Sequence, residues 1–125
     1  MENVSSTEKL ESIKSFQSTI RKTEKALAQM NQKGANITLI TKRLNALHIG
    51  LAILETIWNQ SQTPQHYTQT DFVEARNVLA SLFPSIESIY AKSKEGSPQR
   101  TLLERRIKAL QLAIQVIDDL SERNV

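Results

Sequence analysis

The side chains best suited to acid–base or phosphate chemistry are Arg43 and His48, which are separated by four residues. An imidazole exchanges a proton near neutral pH, and a guanidinium pairs well with phosphate oxygens. The only other histidine is His66, which follows Thr63-Pro64 and is expected to be a solvated loop residue. There is no cysteine, which excludes disulfides, thiolate metal sites and cysteine nucleophiles.

The segment Arg43-Leu-Asn-Ala-Leu-His48 resembles the arginine, four residues, histidine motif of HEPN ribonucleases, which are similar in size and helical architecture. The resemblance implies that Arg43 and His48 activate a ribose 2′-hydroxyl and stabilise phosphate. The chain departs from that family at Leu44, where a polar residue is usual, and the motif usually lies on a later helix.

His48 also has the mid-helix position of the phospho-accepting histidine in histidine phosphotransfer domains, which are four-helix bundles. The sequence His48-Ile-Gly50 lacks the lysine and glycine that follow the histidine in that family. We therefore favour a third interpretation, in which His48 is partly buried and hydrogen-bonded to a neighbour.

Other catalytic and metal-binding patterns are absent from the sequence. There is no Glu-x-x-His pair for a di-iron bundle, no phosphate-binding glycine loop and no zinc spacing. The acidic cluster of Asp118, Asp119 and Glu122 is expected to be a solvated helix end. We predict no catalytic residue, no metal site and no cofactor.

Length and composition indicate one globular domain over residues 1–125, with residues 1–6 and 123–125 frayed. The polar start has no signal peptide, and the most apolar run, residues 44–58, is too short to span a bilayer. We therefore expect a cytoplasmic protein without a transmembrane segment.

Apolar residues recur at alternating spacings of three and four, which predicts helices. The four predicted helices cover residues 7–32, 36–61, 70–95 and 98–122. Their matched lengths and short links predict an all-α, antiparallel up-down-up-down four-helix bundle. Because Pro84 falls inside the third helix, we expect that helix to be kinked there.

The predicted helix ends follow familiar signals. Gly34 and Gly96 stand just past the first and third helices, where a glycine often ends a helix. Ser97-Pro98 is a cap followed by proline at the first helical position. Asp71, or Thr70 before it, is expected to cap the third helix.

In such a bundle the charges separate along the long axis. Residues 19–47 and 84–109 meet at one end, the cationic pole, and carry twelve basic but only four acidic side chains. The other end carries four basic and nine acidic side chains, although the net charge is only +3. The residues of the pole expected to contact a partner are Lys42, Arg43, Arg100, Arg105 and Arg106.

The second and fourth helices each carry an apolar stripe beyond the one that a bundle needs. The stripe residues expected at an interface are Ile49, Ile53, Ile57, Leu102 and Val116. Exposed apolar surface usually marks a homodimer or partner interface. The alternative is that asymmetric packing makes these two helices central and buries both stripes.

These features favour a non-enzymatic adaptor or regulator that binds an acidic protein partner, and a homodimer is possible. The general form is similar to small bacterial immunity proteins and secretion chaperones. The alternative is a nucleic-acid-directed protein, either a phosphate-backbone binder or a HEPN-like ribonuclease using Arg43 and His48. None of the six aromatic residues lies among the basic residues in the sequence, so stacking on single-stranded nucleic acid has no support.

Overall fold

The computed structural model describes residues 4–59 and 67–123, with side chains described up to Ser121 at the C-terminal end. The described residues form five helices and no strand. They are α1 (Ser6–Gln32), α2 (Thr38–Trp58), α3 (Gln69–Ser81), α4 (Phe83–Lys92) and α5 (Pro98–Arg123). Helices α3 and α4 together replace the predicted third helix. The all-α class is confirmed.

Most of the residues expected to fray, namely 1–3, 124 and 125, lie outside the described ranges. Ser6 and Arg123, which were expected to fray with them, are the first and last helical residues. The hydroxyl of Ser5 caps α1 by accepting a hydrogen bond from the backbone N–H of Glu8.

Helix α1 ends at the predicted glycine. Gly34 has φ of 70°, a conformation that costs little without a Cβ atom. The Gly34 N–H donates to the carbonyl of Asn31, and the Ala35 N–H donates to the carbonyl of Met30 at 2.9 Å. These two bonds form a Schellman motif, which satisfies two of the last carbonyls of the helix.

The starts of α3 and α5 are both capped by side chains. Thr68 and Asp71 form a capping box at α3, so the cap residue is Thr68 and not Asp71 or Thr70 as predicted. At α5 the Ser97 hydroxyl accepts a backbone hydrogen bond from the first turn, and Pro98 is the first helical residue, as predicted. Local signals therefore determine where these helices begin.

The predicted third helix is divided at Leu82. Helix α3 ends at Ser81 and α4 begins at Phe83, so Pro84 falls in the first turn of α4. At that position the missing N–H of proline costs no helical hydrogen bond. In a continuous helix the same ring would lose the bond to the Ala80 carbonyl and clash with it.

A single core draws side chains from all five helices, and α2 and α5 contribute most of it. The two helices also contact each other directly, although a square bundle would place them on a diagonal. The buried apolar residues of α2 are Ala46, Leu47, Ile49, Ile53 and Leu54, and those of α5 are Leu103, Ala109, Leu110, Leu112, Ala113, Val116 and Ile117. Both helices are therefore central.

This packing corrects the expectation that the second apolar stripes are exposed. Ile49, Ile53 and Val116 are buried, with Ile53 only 1% exposed, and Ile57 is half-buried against the core. Leu102 alone of the five remains exposed, at 57%. The stripes belong to the core because α2 and α5 each have neighbours on two sides.

The contact between α1 and α5 corrects the predicted charge separation. Arg105 Nε lies 2.8 Å from Glu11 Oε2, and Lys108 Nζ lies 4.0 Å from Glu8 Oε2. The prediction placed these acids and bases at opposite ends of the bundle. The start of α1 instead lies against the first half of α5, so the two kinds of charge overlap there.

Helices α3 and α4 are joined to α5 by several side-chain bonds. In the middle of α3, Arg76 Nε donates to Asp118 Oδ1 at 3.0 Å. Near the end of α4, the Tyr90 hydroxyl donates to Glu104 Oε1 at 2.8 Å. Helix α4 packs on α5 and touches α3, whereas within the described residues its backbone stays apart from the backbones of α1 and α2. Residues of α4 line a cavity together with residues of α1 and α2.

No helix within residues 4–59 and 67–123 is both long and apolar enough to cross a membrane.

Candidate partner-binding cleft

A cavity of about 230 Å³ lies where α1, α2, α5 and the junction of α3 with α4 meet. We call it the arginine cleft. Its lining residues are Ser15, Phe16, Thr19, Thr23, Arg43, Leu47, Ser81, Leu82, Ser85, Ile86, Arg106, Ala109 and Leu110. Several of the apolar members are core residues, so a rigid wall supports the polar ones. Two members, Arg43 and Arg106, belong to the predicted cationic pole.

Arg106 is the most unusual side chain of the cleft. Its Nε atom is buried and has no hydrogen-bond partner, and its side chain forms no ion pair with any described residue. Burial lowers the pKa of the Arg106 guanidinium from its ordinary value because desolvation disfavours the charged form. Arginine nevertheless stays protonated at neutral pH. A cationic donor is therefore held in the wall without a counter-charge.

Arg43 supplies a second guanidinium to the same cavity from α2. Its side chain is exposed and makes no hydrogen bond or ion pair within the described part of the chain. No acidic residue is among the described residues that line the cleft. The cleft thus presents two positive charges that no neighbouring carboxylate of its lining neutralises.

The hydroxyl groups of the cleft differ in what they can offer. Thr19 Oγ1 donates to the Ser15 carbonyl and Thr23 Oγ1 to the Thr19 carbonyl, both at 2.8 Å, and Ser81 Oγ donates to the Val78 carbonyl. Because their protons are used within the chain, these three oxygens can serve a ligand only as acceptors.

The side chains of Ser15 and Ser85 make no hydrogen bond with any described residue, so both hydroxyls are available as donors. Ser15, Thr19 and Thr23 recur every four residues on α1. This polar stripe is a signal in the sequence that could have revealed them.

The other three residues expected to contact a partner, namely Lys42, Arg100 and Arg105, do not line this cavity. Arg105 is paired with Glu11, as described above. Arg100 donates from Nη1 to the Ser93 carbonyl at 3.0 Å, and its guanidinium carbon lies 4.2 Å from the centroid of the Tyr90 ring. Folding therefore brings one aromatic ring, that of Tyr90, beside a basic residue, but an arginine of the same chain already covers it.

Lys42 lines a different and wider groove between α2 and α3, with a volume of about 590 Å³. His48 lies in this second groove together with the acidic residues Asp71 and Glu74. The carboxylate of Asp71 is already bound to the backbone N–H of Thr68. Positive and negative side chains are mixed here, so the groove has no dominant charge.

Arg43 and His48 therefore line separate grooves of the monomer. Five residues along a helix correspond to a rotation of about 140°, which points the two side chains away from one another. The His48 side chain is exposed and not partly buried, and His66 lies outside the described residues. Within the described residues, therefore, Arg43 and His48 do not share a cleft.

Large apolar side chains stand one helical turn from three polar residues of the arginine cleft. Leu39 precedes Arg43 by four residues, Leu102 precedes Arg106 by four, and Ile89 follows Ser85 by four. Residues four apart lie on the same face of a helix. We call Leu39, Ile89 and Leu102 the apolar border; they are 60%, 46% and 57% exposed.

Comparison of the chain with protein-family models, with curated proteins and with solved structures found no match. We therefore infer the function from the site itself.

Proposed function

We propose that this protein is a non-enzymatic binding module that receives an acidic segment of a partner protein in the arginine cleft. The main support is the unpartnered, buried Nε of Arg106. Leaving a buried donor unsatisfied costs about 1–3 kcal/mol, so an acceptor that reaches this Nε would stabilise the protein. An anionic group entering the cleft provides the missing acceptor.

The apolar border extends this site beyond the two arginines. Among the described residues five large apolar side chains are exposed, and three of them are Leu39, Ile89 and Leu102. A partner segment with apolar residues beside its acidic group would cover these side chains and place its charge on Arg43 and Arg106. Charge complementarity would fix the register, and apolar burial would add affinity.

The same proposal includes an up-down-up-down course of the chain, with a kink at Pro84. It is supported by contacts that join the start of α3 to the end of α5 and the end of α4 to the start of α5. In that course the three border residues all lie toward one end of the bundle.

We do not propose a second copy of the chain as the occupant. Three of the five residues expected at a dimer interface, namely Ile49, Ile53 and Val116, are core residues of the monomer. A HEPN-like ribonuclease also gains no support here, because Arg43 and His48 line different grooves. A nucleic-acid backbone is not the occupant that we propose. It remains an outcome of the test.

The test compares partner capture by charge-reversed variants of the immobilised protein, with and without nuclease. We expect Arg43→Glu to abolish capture of a specific protein, because it places a carboxylate beside the guanidinium of Arg106. Lys14→Glu makes the same change of charge at an exposed site on α1 and serves as the matched control. Equal capture by both variants would contradict the proposal, and loss of capture on nuclease treatment would show that nucleic acid is the bound component.

A further inference from the structure

We propose that the anionic group recognised by the arginine cleft is a phosphate monoester on a side chain of the partner, an inference that rests on the proposed function. A carboxylate and a phosphate both accept hydrogen bonds from arginine. They differ in charge, in the number of acceptor oxygens and in size, and each of these differences favours phosphate here.

The first difference is charge. Arg43 and Arg106 together bring two positive charges, and no described residue of the lining is acidic. A phosphate monoester carries a charge of about −1.5 to −2 at pH 7, whereas a carboxylate carries only −1. A carboxylate would leave one cation of the cleft without a counter-charge. A phosphate monoester neutralises both.

The second difference is hydrogen-bonding capacity. Arg106 offers the buried Nε–H and the amino groups beside it, in a planar fork suited to two oxygens of one anion. Arg43, Ser15 and Ser85 add further donors from three other helices. A phosphate monoester has three terminal oxygens to accept these bonds, and a carboxylate has two.

The third difference is size. The cavity volume of about 230 Å³ exceeds the engineered cavities of about 150 Å³ that hold one benzene molecule. It is smaller than the roughly 300–1,000 Å³ typical of pockets for whole drug-sized ligands. The space therefore suits one phosphorylated side chain, while the adjoining residues of the segment lie over the apolar border.

The experiment measures binding of short fluorescent peptides by polarisation. The peptides share one sequence with leucines on both sides of a single variable position, which is serine, aspartate or phosphoserine. We expect the phosphoserine peptide to bind at least about tenfold more tightly than the aspartate peptide, a difference of about 1.4 kcal/mol. The serine peptide should bind most weakly.

Two neighbouring arginines supply the matched control. Arg106→Gln should weaken binding of the phosphoserine peptide about tenfold or more, whereas Arg105→Gln removes the same charge from a residue outside the cleft and should change it less than about twofold. Arg43→Gln, at an exposed position, repeats the test without disturbing a buried site. Circular dichroism of each variant verifies that it is folded.

Several outcomes would overturn the inference. If the aspartate and phosphoserine peptides bind equally and both depend on Arg43, phosphate is not selected, but the proposed function stands. If no peptide binds, or if inorganic phosphate displaces the phosphoserine peptide at an equal concentration, a phosphorylated segment is not the ligand. The proposed function is then decided by its own capture experiment.

Discussion

At the scale of single residues, Arg106 and Ile53 show how burial changes the meaning of a side chain. Arg106 resembles any basic residue of α5 in the sequence, yet its Nε is the buried donor of a cavity. Ile53 resembles a residue of a spare apolar stripe, yet it is 1% exposed. Periodicity assigns each residue to a face of its helix, but it does not say which neighbouring helix covers that face.

The burial of Ile53 leads to a clear prediction. Ile53→Asp should unfold the protein, because an unpaired carboxylate in the core costs more than the few kcal/mol by which a small domain is stable. Leu102→Asp introduces the same side chain at a position that is 57% exposed and should leave the fold intact. Circular dichroism during thermal melting distinguishes the two. A folded Ile53→Asp variant would show that the second stripe of α2 is not core.

Gly50 of α2 lies in close contact with side chains of α1 and α3. A Cβ atom at this position would lie 2.8 Å from Phe16 Cε1 and 3.3 Å from Leu79 Cδ1, and both side chains are fully buried. Alanine gains about 1 kcal/mol of helix propensity over glycine, but crowding in a packed core costs about 1–3 kcal/mol.

We therefore expect Gly50→Ala to lower the free energy of unfolding by about 1 kcal/mol in urea denaturation. Phe16→Leu removes the ring atoms that the new methyl group would meet. The double variant should consequently be destabilised by less than the sum of the two single variants. Full additivity would mean that the two positions do not interact.

At the scale of helices, the sequence predicts those helix termini that are determined by neighbouring residues. The ends at Gly34 and Ser97-Pro98 follow from one or two residues each, and the structure has both. The start of α3 was misplaced because Thr68, Thr70 and Asp71 are all suitable caps, and only the reciprocal bonds of the capping box distinguish them. Pro84 in the sequence predicts a kink, whereas the structure has two separate helices there.

The packing of α1 on α5 was not predictable, because no local signal fixes which parts of two distant helices meet. The ion pair between Glu11 and Arg105 reports this contact, and both side chains are partly exposed. Arg105→Glu should therefore lower the free energy of unfolding by only about 0.5–1 kcal/mol. Exchanging the charges, with Glu11→Arg and Arg105→Glu together, should restore most of that loss.

Urea denaturation of the wild type, the two single variants and the double variant measures this coupling energy. Arg76 and Asp118, which pair between α3 and α5, offer a control pair of similar exposure. If the exchanged pair is no more stable than the sum of the single changes, Glu11 and Arg105 do not interact in solution.

At the scale of the whole molecule, the distribution of charge along the chain indicates which residues are basic and grouped, but not which of them are paired in the folded protein. The prediction gathered twelve basic residues at one pole. In the structure, Arg105 and Lys108 pair with acids of α1, and Arg100 lies over Tyr90. Arg43 and Arg106 alone of the five predicted contact residues share the arginine cleft.

Which arginines share a cleft depends on tertiary packing, namely on the central positions of α2 and α5 and on the division of the third helix. The fold class and the region of positive charge can be predicted from the sequence. The pairing of individual charges cannot, because it depends on how helices distant in the chain pack together.

The cleft also predicts a conflict between stability and binding. Replacing Arg106 with methionine removes a partly buried charge that lacks a partner, while the new side chain can pack against the apolar wall. We expect Arg106→Met to raise the free energy of unfolding by roughly 1 kcal/mol. The gain is this small because part of the Arg106 guanidinium stays solvated, which lowers the cost of its burial. Urea denaturation of Arg106→Met and of the wild type measures this gain in stability. Arg105→Met, which breaks an exposed ion pair, is denatured in the same way as the control.

Partner capture by Arg106→Met, compared with capture by the wild type and by Arg105→Met, tests the central claim most directly. A variant that is at least as stable as the wild type cannot lose its partner through unfolding. If the arginine cleft binds the partner, Arg106→Met captures none of it, whereas Arg105→Met captures as much as the wild type. Undiminished capture by Arg106→Met would contradict it.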